Sequence, residues 1–146
     1  MKIQVEIDPN CKETEVIIRT NELTNEINEI IQKLSVTNQK VLAGFSDDGV
    51  ELIEISEIIR IYSADKKIFA QTTSGEFLIR MRLYELEERL DKMMFARISN
   101  SEIVNLKKIK KIDLSFTGTI AMTLSNKTIT YVSRRYVSKI KQLLGM

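Results

Sequence analysis

The protein has 146 residues, of which 43% are hydrophobic and 29% are charged, a composition typical of a globular protein. Five Gly and one Pro exclude collagen-like and Pro/Gly-rich disordered chains, and no apolar run approaches the roughly 18 residues of a membrane span. The first residues lack the apolar core of a secretion signal, and the one cysteine, Cys11, cannot form an internal disulfide. We therefore expect a cytoplasmic protein of one domain with a short appendage.

The absent residue types exclude several kinds of catalytic site. The sequence has no histidine, which excludes Ser-His-Asp and Cys-His catalysis and, with a single Cys, most zinc sites. It has no glycine-rich phosphate-binding motif. The adjacent carboxylates Asp47–Asp48 and Glu87–Glu88 lie in a predicted turn and a predicted helix, and such neighbours do not face each other across a cleft. We predict that the protein is not an enzyme and binds no metal, cofactor or small-molecule substrate.

The N-terminal residues predict two strands followed by a helix. Residues 2–8 alternate between polar and apolar side chains, as a half-buried strand does, and residues 14–20 predict a second strand paired with the first. Apolar residues between Leu23 and Leu34 then recur at helical spacing, and Asn21 suits the N-cap of this helix.

A loop separates this ββα appendage from the rest of the chain. Residues 35–49 are rich in Ser, Thr, Asn, Gly and Asp, which favour turns. We place a domain boundary within it, between an acidic appendage at 1–46, with a dimerisation or regulatory role, and a main domain at 47–146.

From Val50 onward the sequence predicts mostly β-structure. Short β-branched runs alternate with turns as far as Val132, and one alternating run ends at Phe116. Apolar residues at helical spacing predict a short helix, namely Leu83, Leu86, Leu90 and Met93. A final helix is predicted after Ser133, a good N-cap, with Val137, Ile140 and Leu144 on its apolar face.

The net charge of +2 conceals a gradient along the chain. Residues 1–60 contain six Lys or Arg against twelve Asp or Glu, a net charge of −6. Residues 97–146 contain ten Lys or Arg against two acidic residues, a net charge of +8. A segment this basic indicates either a surface for a polyanion or a solubilising face.

Two basic clusters lie in the C-terminal segment. Arg134 and Arg135 begin the final helix, where cations oppose the helix dipole unless an external anion joins them. The alternative is that both side chains point into water or pair with an acidic neighbour. Lys107 and Lys108 lie between apolar residues in a predicted helical or 3₁₀ turn, where they would contact phosphates or only solvent.

Two turns supply further candidate residues. Lys66 and Lys67 lie at a predicted hairpin tip, which either projects into a groove or is a solvated turn. Ser99 and Asn100 form a polar turn. An Asn there has the donor and acceptor that match an adenine edge, although backbone preference also explains Asn in turns.

Three blocks of the sequence together resemble the LytTR family of DNA-binding domains. They are Ile58–Tyr62, Phe95–Leu106 and Val132–Val137, of which the second and third carry the patterns F-x-R-x-x-x-S-x-I-V-N-L and S-R-R-Y-V. These patterns are specific in combination and spacing. The resemblance covers residues 48–146.

The resemblance implies a mainly β domain of about ten short strands in packed antiparallel sheets, in which loops enter major grooves of bent DNA. It places contacts at Lys66, at Ser99 and Asn100, and at the arginine pair, with Arg135 on a base and Arg134 on a phosphate. Lys67 lies beside Lys66 in the same projecting tip. Four lysines are only generically basic in the family and carry lower weight, namely Lys107, Lys108, Lys110 and Lys111. Many relatives carry His or another basic residue where this chain has Ser99, and several carry His where it has Lys66, so base specificity does not transfer.

Many members of the family follow a receiver domain, as response regulators do, but the residues before position 48 are too few for one. The chain is therefore similar to short stand-alone members. Some of these are encoded beside small membrane proteins, which implies a membrane-protein partner.

Two functional hypotheses follow. The first is a sequence-specific transcriptional regulator that binds repeated sites in double-stranded DNA as a homodimer. The second is a protein-interaction module whose basic surface meets an acidic partner, including an autoinhibitory contact with its own acidic N-terminal part.

Overall fold

The computed structural model describes residues 1–36, 41–114 and 118–146. The chain divides into two compact units, Met1–Leu34 and Ser35–Met146. Among the described residues, no helix is long and apolar enough to cross a membrane.

The first unit contains one helix, α1 (Asn25–Val36), and no strand is assigned anywhere in residues 1–24. This corrects the predicted ββα arrangement, because residues 2–8 and 14–20 do not pair within the chain. All of residues 1–23 are exposed. A two-stranded ribbon is marginal in water unless another strand or a helix covers its apolar face, and alternation of side chains cannot reveal whether that cover exists.

Helix α1 begins later than the sequence indicates. The Thr24 hydroxyl accepts a hydrogen bond from the Ile27 N–H at 3.3 Å, so Thr24 rather than Asn21 is the N-cap. The apolar face that the helix buries is narrower than the sequence predicts. Ile27 and Ile30 are half-buried, whereas Leu23 precedes the helix and is exposed.

The described residues of the second unit contain ten strands, which confirms the mainly β fold. The first five strands are β1 (Val41–Ser46), β2 (Gly49–Glu54), β3 (Ile58–Ala64), β4 (Lys67–Thr72) and β5 (Gly75–Ile79). Helix α2 (Leu83–Arg89) follows them. The remaining elements are β6 (Phe95–Ser99), β7 (Glu102–Asn105), β8 (Ile109–Asp113), β9 (Ile120–Leu124), β10 (Ile129–Val132) and α3 (Arg134–Leu143). Phe116, the predicted end of one strand, lies outside the described residues.

The strands form two antiparallel sheets. The large sheet has the order β2-β1-β5-β4-β3-β7-β6, and the small sheet has the order β10-β9-β8. Strand β7 pairs with both β3 and β6 in antiparallel register, so β3 and β6 run in the same direction. The turn after β3 and the turn after β6 therefore lie at the same end of the large sheet.

The large sheet carries an apolar core on each face. Neighbouring residues of a strand point to opposite faces, and Ile58 and Ile59 accordingly enter different clusters. The first cluster includes Leu86 of α2, which is fully buried. The second joins the sheet to β9, β10 and α3 through buried residues such as Met122 and Ile140. Each such side chain contributes about 1.5–3 kcal/mol of transfer free energy, so these cores hold the turns of the sheet in place.

The loop predicted at 35–49 is wrong at Val41–Ser46, which form β1, whereas Asp47 and Asp48 do form a turn. Gly44 is the cause of the error, since it serves the packing of strands rather than a turn. A Cβ on Gly44 would lie 2.8 Å from the Phe77 Cβ and closer still to the Ile53 side chain. The predicted boundary after residue 46 falls inside the β1–β2 hairpin, whereas the structural units divide after Leu34.

Both predicted helices of the main domain are present. Leu83, Leu86 and Leu90 are buried as expected, but Met93 is 82% exposed because α2 ends at Arg89. Helix α3 begins directly after Ser133, and its Ile140 is completely buried. The apolar face of α3 thus docks on the second core and fixes the direction of its first turn.

Candidate nucleic-acid interface

The β3–β4 turn is a tight two-residue connection. Ala64 pairs with Lys67, and the two residues between them, Asp65 and Lys66, have φ angles of 50° and 64°. Positive φ at both central positions is the pattern of a type I′ turn, whose twist matches that of the strands. Lys66 and Lys67 are exposed at this tip, as predicted.

A single guanidinium group shapes the β6–β7 turn. Arg97 donates to the backbone carbonyl of Ser99 from Nε at 2.7 Å and to that of Asn100 from Nη2 at 2.6 Å. Its Nη1 donates to Glu87 Oε2 at 2.8 Å, which ties the turn to α2. Ser99 is half-buried and its Oγ accepts a hydrogen bond from the Ser101 N–H. The Asn100 side chain remains exposed on a turn whose backbone is held from within.

The β6–β7 turn contacts both of the other predicted contact regions. The Ser63 N–H, next to the β3–β4 tip, donates to the Ser101 carbonyl at 2.8 Å. The Ser133 N–H, just before α3, donates to the Ile98 carbonyl at 2.9 Å. The Tyr136 hydroxyl lies 3.5 Å from Asn100 Oδ1. The structure therefore brings the tip, the turn and the helix N-terminus together at one end of the large sheet.

The first turn of α3 is strongly cationic. Arg134 and Arg135 are both exposed, and this turn contains no acidic residue. The Arg135 guanidinium lies 5.6 Å from the Tyr136 ring centroid, within range of a cation–π interaction. Gly118 has a φ of 75°, and a Cβ on it would lie 3.1 Å from Arg134 Nε, so glycine leaves room for this arginine.

A basic groove borders the tip and the turn. It encloses about 880 Å³ and is lined by Lys66, Lys67 and Asn100 among others. Two further cations line it, Arg80 and Arg82, which sequence analysis did not single out. Both arginines lie in the connection between β5 and α2, and their closeness to the tip follows only from the folded structure.

Lys107 and Lys108 lie elsewhere. They belong to a 3₁₀ turn, as the spacing predicts, but this turn follows β7 at the end opposite Asn100. The four residues of β7 separate the two ends by about 13 Å. The buried side chain of Asn105 anchors this turn, because it accepts from the Lys107 N–H at 3.0 Å and donates to the Ile58 carbonyl at 2.8 Å.

A largely buried ion pair lies within the large sheet and is hydrogen-bonded to the small sheet. Arg60 Nη1 lies 2.6 Å from Glu102 Oε1, and the second carboxylate oxygen of Glu102 accepts from the Thr130 hydroxyl of β10. Arg60 Nε also donates to Gln71 Oε1 at 2.7 Å. A paired carboxylate in this position is expensive to desolvate and cannot lose its partner without a large loss of stability.

Tyr62 extends this polar cluster. The Arg60 guanidinium lies 4.3 Å from its ring centroid, and its hydroxyl donates to the Glu76 carboxylate. Burial of the ring and the hydrogen bond with Glu76 raise the pKa of the Tyr62 phenol.

The adjacent carboxylates at Asp47–Asp48 and Glu87–Glu88 do not face each other across a catalytic cleft. Glu87 is occupied by its ion pair with Arg97. Asp47 and Asp48 are exposed in the turn between β1 and β2. Among the residues that the structure describes, no group of three or more His, Cys, Asp or Glu side chains is arranged to hold a metal ion.

The fold and this end of the sheet define a class of small antiparallel β protein that presents a cationic loop surface. Comparison with known proteins agrees with that class. Residues 48–145 match the family model of the LytTr DNA-binding domain. The chain belongs to the LytTR family of DNA-binding proteins.

Relatives in curated collections match along the whole chain. An uncharacterised HTH-type transcriptional regulator of Staphylococcus aureus strain NCTC 8325 is 34% identical over 147 residues, covering 100% of this chain and 99% of that protein. A similarly named regulator of strain MSSA476 is 36% identical over 140 residues, covering 94% of this chain and 95% of its own. These relatives support a DNA-binding regulator rather than an enzyme.

A solved structure shows the same fold. It is the LytTr DNA-binding domain of a Bacillus cereus protein described as a methyl-accepting/DNA response regulator. It superposes with a TM-score of 0.72 at 28% identity, and the match covers 75% of this chain and 100% of that domain. In the described part of our chain, strands separate the three helices from one another, so no two consecutive helices form a helix-turn-helix.

Proposed function

We propose that the protein is a sequence-specific transcriptional regulator that reads major grooves of DNA with loops. The observation that carries this proposal is the Arg97 guanidinium, which fixes the Asn100 turn between two cationic elements. A rigid turn holds a side chain in one orientation, which selection between base edges requires.

The exposed side chains divide into two roles. The amide of Asn100 has one donor and one acceptor, which match an adenine edge in the major groove, and the guanidinium of Arg135 has paired donors, which match the two acceptors of a guanine edge. Lys66, Lys67 and Arg134 beside them contact phosphates, which set the register of the protein on the duplex.

The basic groove enlarges the phosphate-binding surface. Arg80 and Arg82 line it together with Lys66, so a DNA backbone that follows the tip passes these arginines. Lys107 and Lys108 attract DNA without sequence preference from the other end of β7, and they contribute less to discrimination.

The protein acts as a homodimer on repeated sites. The loops of one protomer offer few base contacts. When one protomer of a dimer is bound, the other is held at a high effective concentration near the second repeat of the DNA site. The membrane-protein partner that the resemblance implies stays a prediction.

The test begins with selection of preferred sites from a randomised duplex library by the wild-type protein. Arg135→Ala then weakens binding to the selected site by about 1–3 kcal/mol and relaxes preference at one base pair. Lys139→Ala is the matched control, because Lys139 is an exposed cation of the same helix beyond its first turn. Lys108→Ala weakens all sequences alike and lowers the salt slope by about one unit.

Two results would overturn this assignment. One is an unchanged preference of Arg135→Ala in a mobility-shift titration at fixed salt. The other is a preference that Lys139→Ala alters as much as Arg135→Ala. The alternative of autoinhibition by the acidic N-terminal part is tested by deletion of residues 1–34, which leaves β1 and the rest of the second unit intact and would raise DNA affinity if that part masked the surface.

A further inference from the structure

The N-terminal unit exposes two β-branched runs that lack a partner in the structure of the single chain. In residues 2–8, Ile3, Val5 and Ile7 are each at least 80% exposed. In residues 14–20, Val16 and Ile17 are 65% and 71% exposed. Extended apolar segments of this kind pair with other chains unless something covers them.

Residues 14–20 are complementary to themselves when reversed. In an antiparallel pair of this segment centred on Ile17, Thr14 of one copy faces Thr20 of the other, and Glu15 faces Arg19. Val16 then faces Ile18, and Ile17 faces its own counterpart. Every cross-strand pair is one of the favourable types: hydroxyl with hydroxyl, acid with base, or two β-branched residues.

We propose that residues 14–20 of two copies of this chain form an antiparallel strand pair across a two-fold axis at Ile17. Such an interface is isologous, so each pairing away from the axis occurs twice. The inference rests on the proposed homodimer and identifies the segment that holds it together. The partner is a second copy because the self-paired register matches Glu15 with Arg19 on both sides of the axis and pairs the β-branched residues with one another.

A hairpin within one chain is the competing arrangement, and its charges disfavour it. Two registers place the apolar face of residues 2–8 against Val16 and Ile18. If Val5 lies opposite Val16, Glu6 faces Glu15 and Lys2 faces Arg19, which are pairs of like charge. In the other register Val5 lies opposite Ile18. That register sets Asp8 opposite Glu15, and like charges directly opposite each other are destabilising. The described residues indeed contain no ladder between these two segments.

Residues 2–8 are also complementary to themselves, about Val5 with Lys2 opposite Asp8, but they are the weaker candidate. They contain three β-branched residues of seven, whereas residues 14–20 contain five of seven. The charge reversal Lys2→Glu is therefore the matched control for a charge reversal in residues 14–20.

The first experiment measures the dimer dissociation constant of the full chain by sedimentation equilibrium. Arg19→Glu creates two repulsive pairs where two attractive ones stood, so we expect the constant to rise about tenfold or more. The double variant Glu15→Arg/Arg19→Glu restores both pairs and returns the constant to the wild-type value. Both positions are exposed in the single chain, and circular dichroism verifies that each variant is folded.

The second experiment fixes the register in a Cys11→Ser background. Residues directly opposite in an antiparallel pair have Cα atoms about 4.5–5.5 Å apart, within disulfide range. Ile17→Cys therefore cross-links two copies under mild oxidation. Thr14→Cys does not, because the two copies of residue 14 lie about 20 Å apart in this register.

The outcomes distinguish a failure of the proposed strand pair from a failure of the proposed homodimer. A wild-type protein that stays monomeric at every concentration refutes the homodimer itself. A dimer that Arg19→Glu leaves intact, or that Lys2→Glu dissociates with rescue by Lys2→Glu/Asp8→Lys, overturns the pairing of residues 14–20. If Arg19→Glu weakens the dimer and the double variant does not restore it, the pairing of Glu15 with Arg19 across the axis is also overturned.

Discussion

Replacing Arg97 with methionine removes the three hydrogen bonds that hold the β6–β7 turn, while the aliphatic part of the side chain is largely retained. Two of these bonds, at 2.6 and 2.7 Å, end on backbone carbonyls of the turn. Hydrogen bonds from a charged donor contribute about 1.5–3 kcal/mol each. The Glu87 carboxylate is 38% exposed, so its ion pair adds less than about 1 kcal/mol. We expect Arg97→Met to lower the free energy of unfolding by about 3 kcal/mol.

The same substitution has a larger effect on recognition than on non-specific binding. Once the carbonyls of Ser99 and Asn100 are released, the Asn100 side chain samples several orientations and loses its preference between bases. Urea unfolding measures the stability, and mobility shifts on selected and scrambled duplexes at a temperature where the variant is folded measure the preference.

The matched control is Glu87→Gln, which removes the ion pair and leaves both carbonyl bonds in place. It should change stability by less than about 1 kcal/mol and leave the base preference intact. The reasoning is refuted if folded Arg97→Met discriminates between the two duplexes as well as the wild type does.

Three further results are expected. Glu102→Gln removes the counter-charge of Arg60 in its buried pair and should cost about 3 kcal/mol in urea unfolding, and a smaller loss in the double variant with Arg60→Met would identify the unpaired charge as the cause. Gly44→Ala overpacks the contact between neighbouring strands and should lower stability by about 1–3 kcal/mol; a neutral effect in thermal unfolding would contradict the close approach. Because the pKa of Tyr62 is raised in the folded state, its contribution to stability is complete below its ordinary value near 10 and is lost as pH rises through the folded pKa. Tyr62→Phe should remove that loss in urea titrations taken above about pH 10, and an unchanged alkaline profile would refute the role of burial and of Glu76.

Local sequence patterns were sufficient for most strands of the main domain. The alternation of side chains and the polar pair at Asp65–Lys66 determine a hairpin from neighbouring residues alone, and the structure has it in the expected place. The final helix was equally local, since its cap at Ser133 and its apolar face lie within one short segment.

The errors arose where structure depends on distant residues. Gly44 has the composition of a turn, but its role depends on Ile53 and Phe77, which approach it from neighbouring strands. Residues 2–8 have the alternation of a strand, but a strand needs a neighbour, and alternation does not supply one.

The side chains of the candidate interface could be predicted from the sequence, but the contacts that hold them in position could not. The charged and amide side chains stood out by type, and the family resemblance assigned their roles. That Arg97 holds the carbonyls of Ser99 and Asn100, and that Arg80 and Arg82 border the same groove, follows only from three-dimensional packing.

The hydrogen bonds from Ser63 to Ser101 and from Ser133 to Ile98 join parts of the chain that are about 35 residues or more apart. Under the proposed function, this has a kinetic consequence. A nascent chain in which the segment of α3 has not yet left the ribosome lacks the Arg135 contact, so its discrimination between sites is incomplete even when the earlier sheet has formed. Full recognition requires all three regions to be folded together, and it is lost when the domain melts.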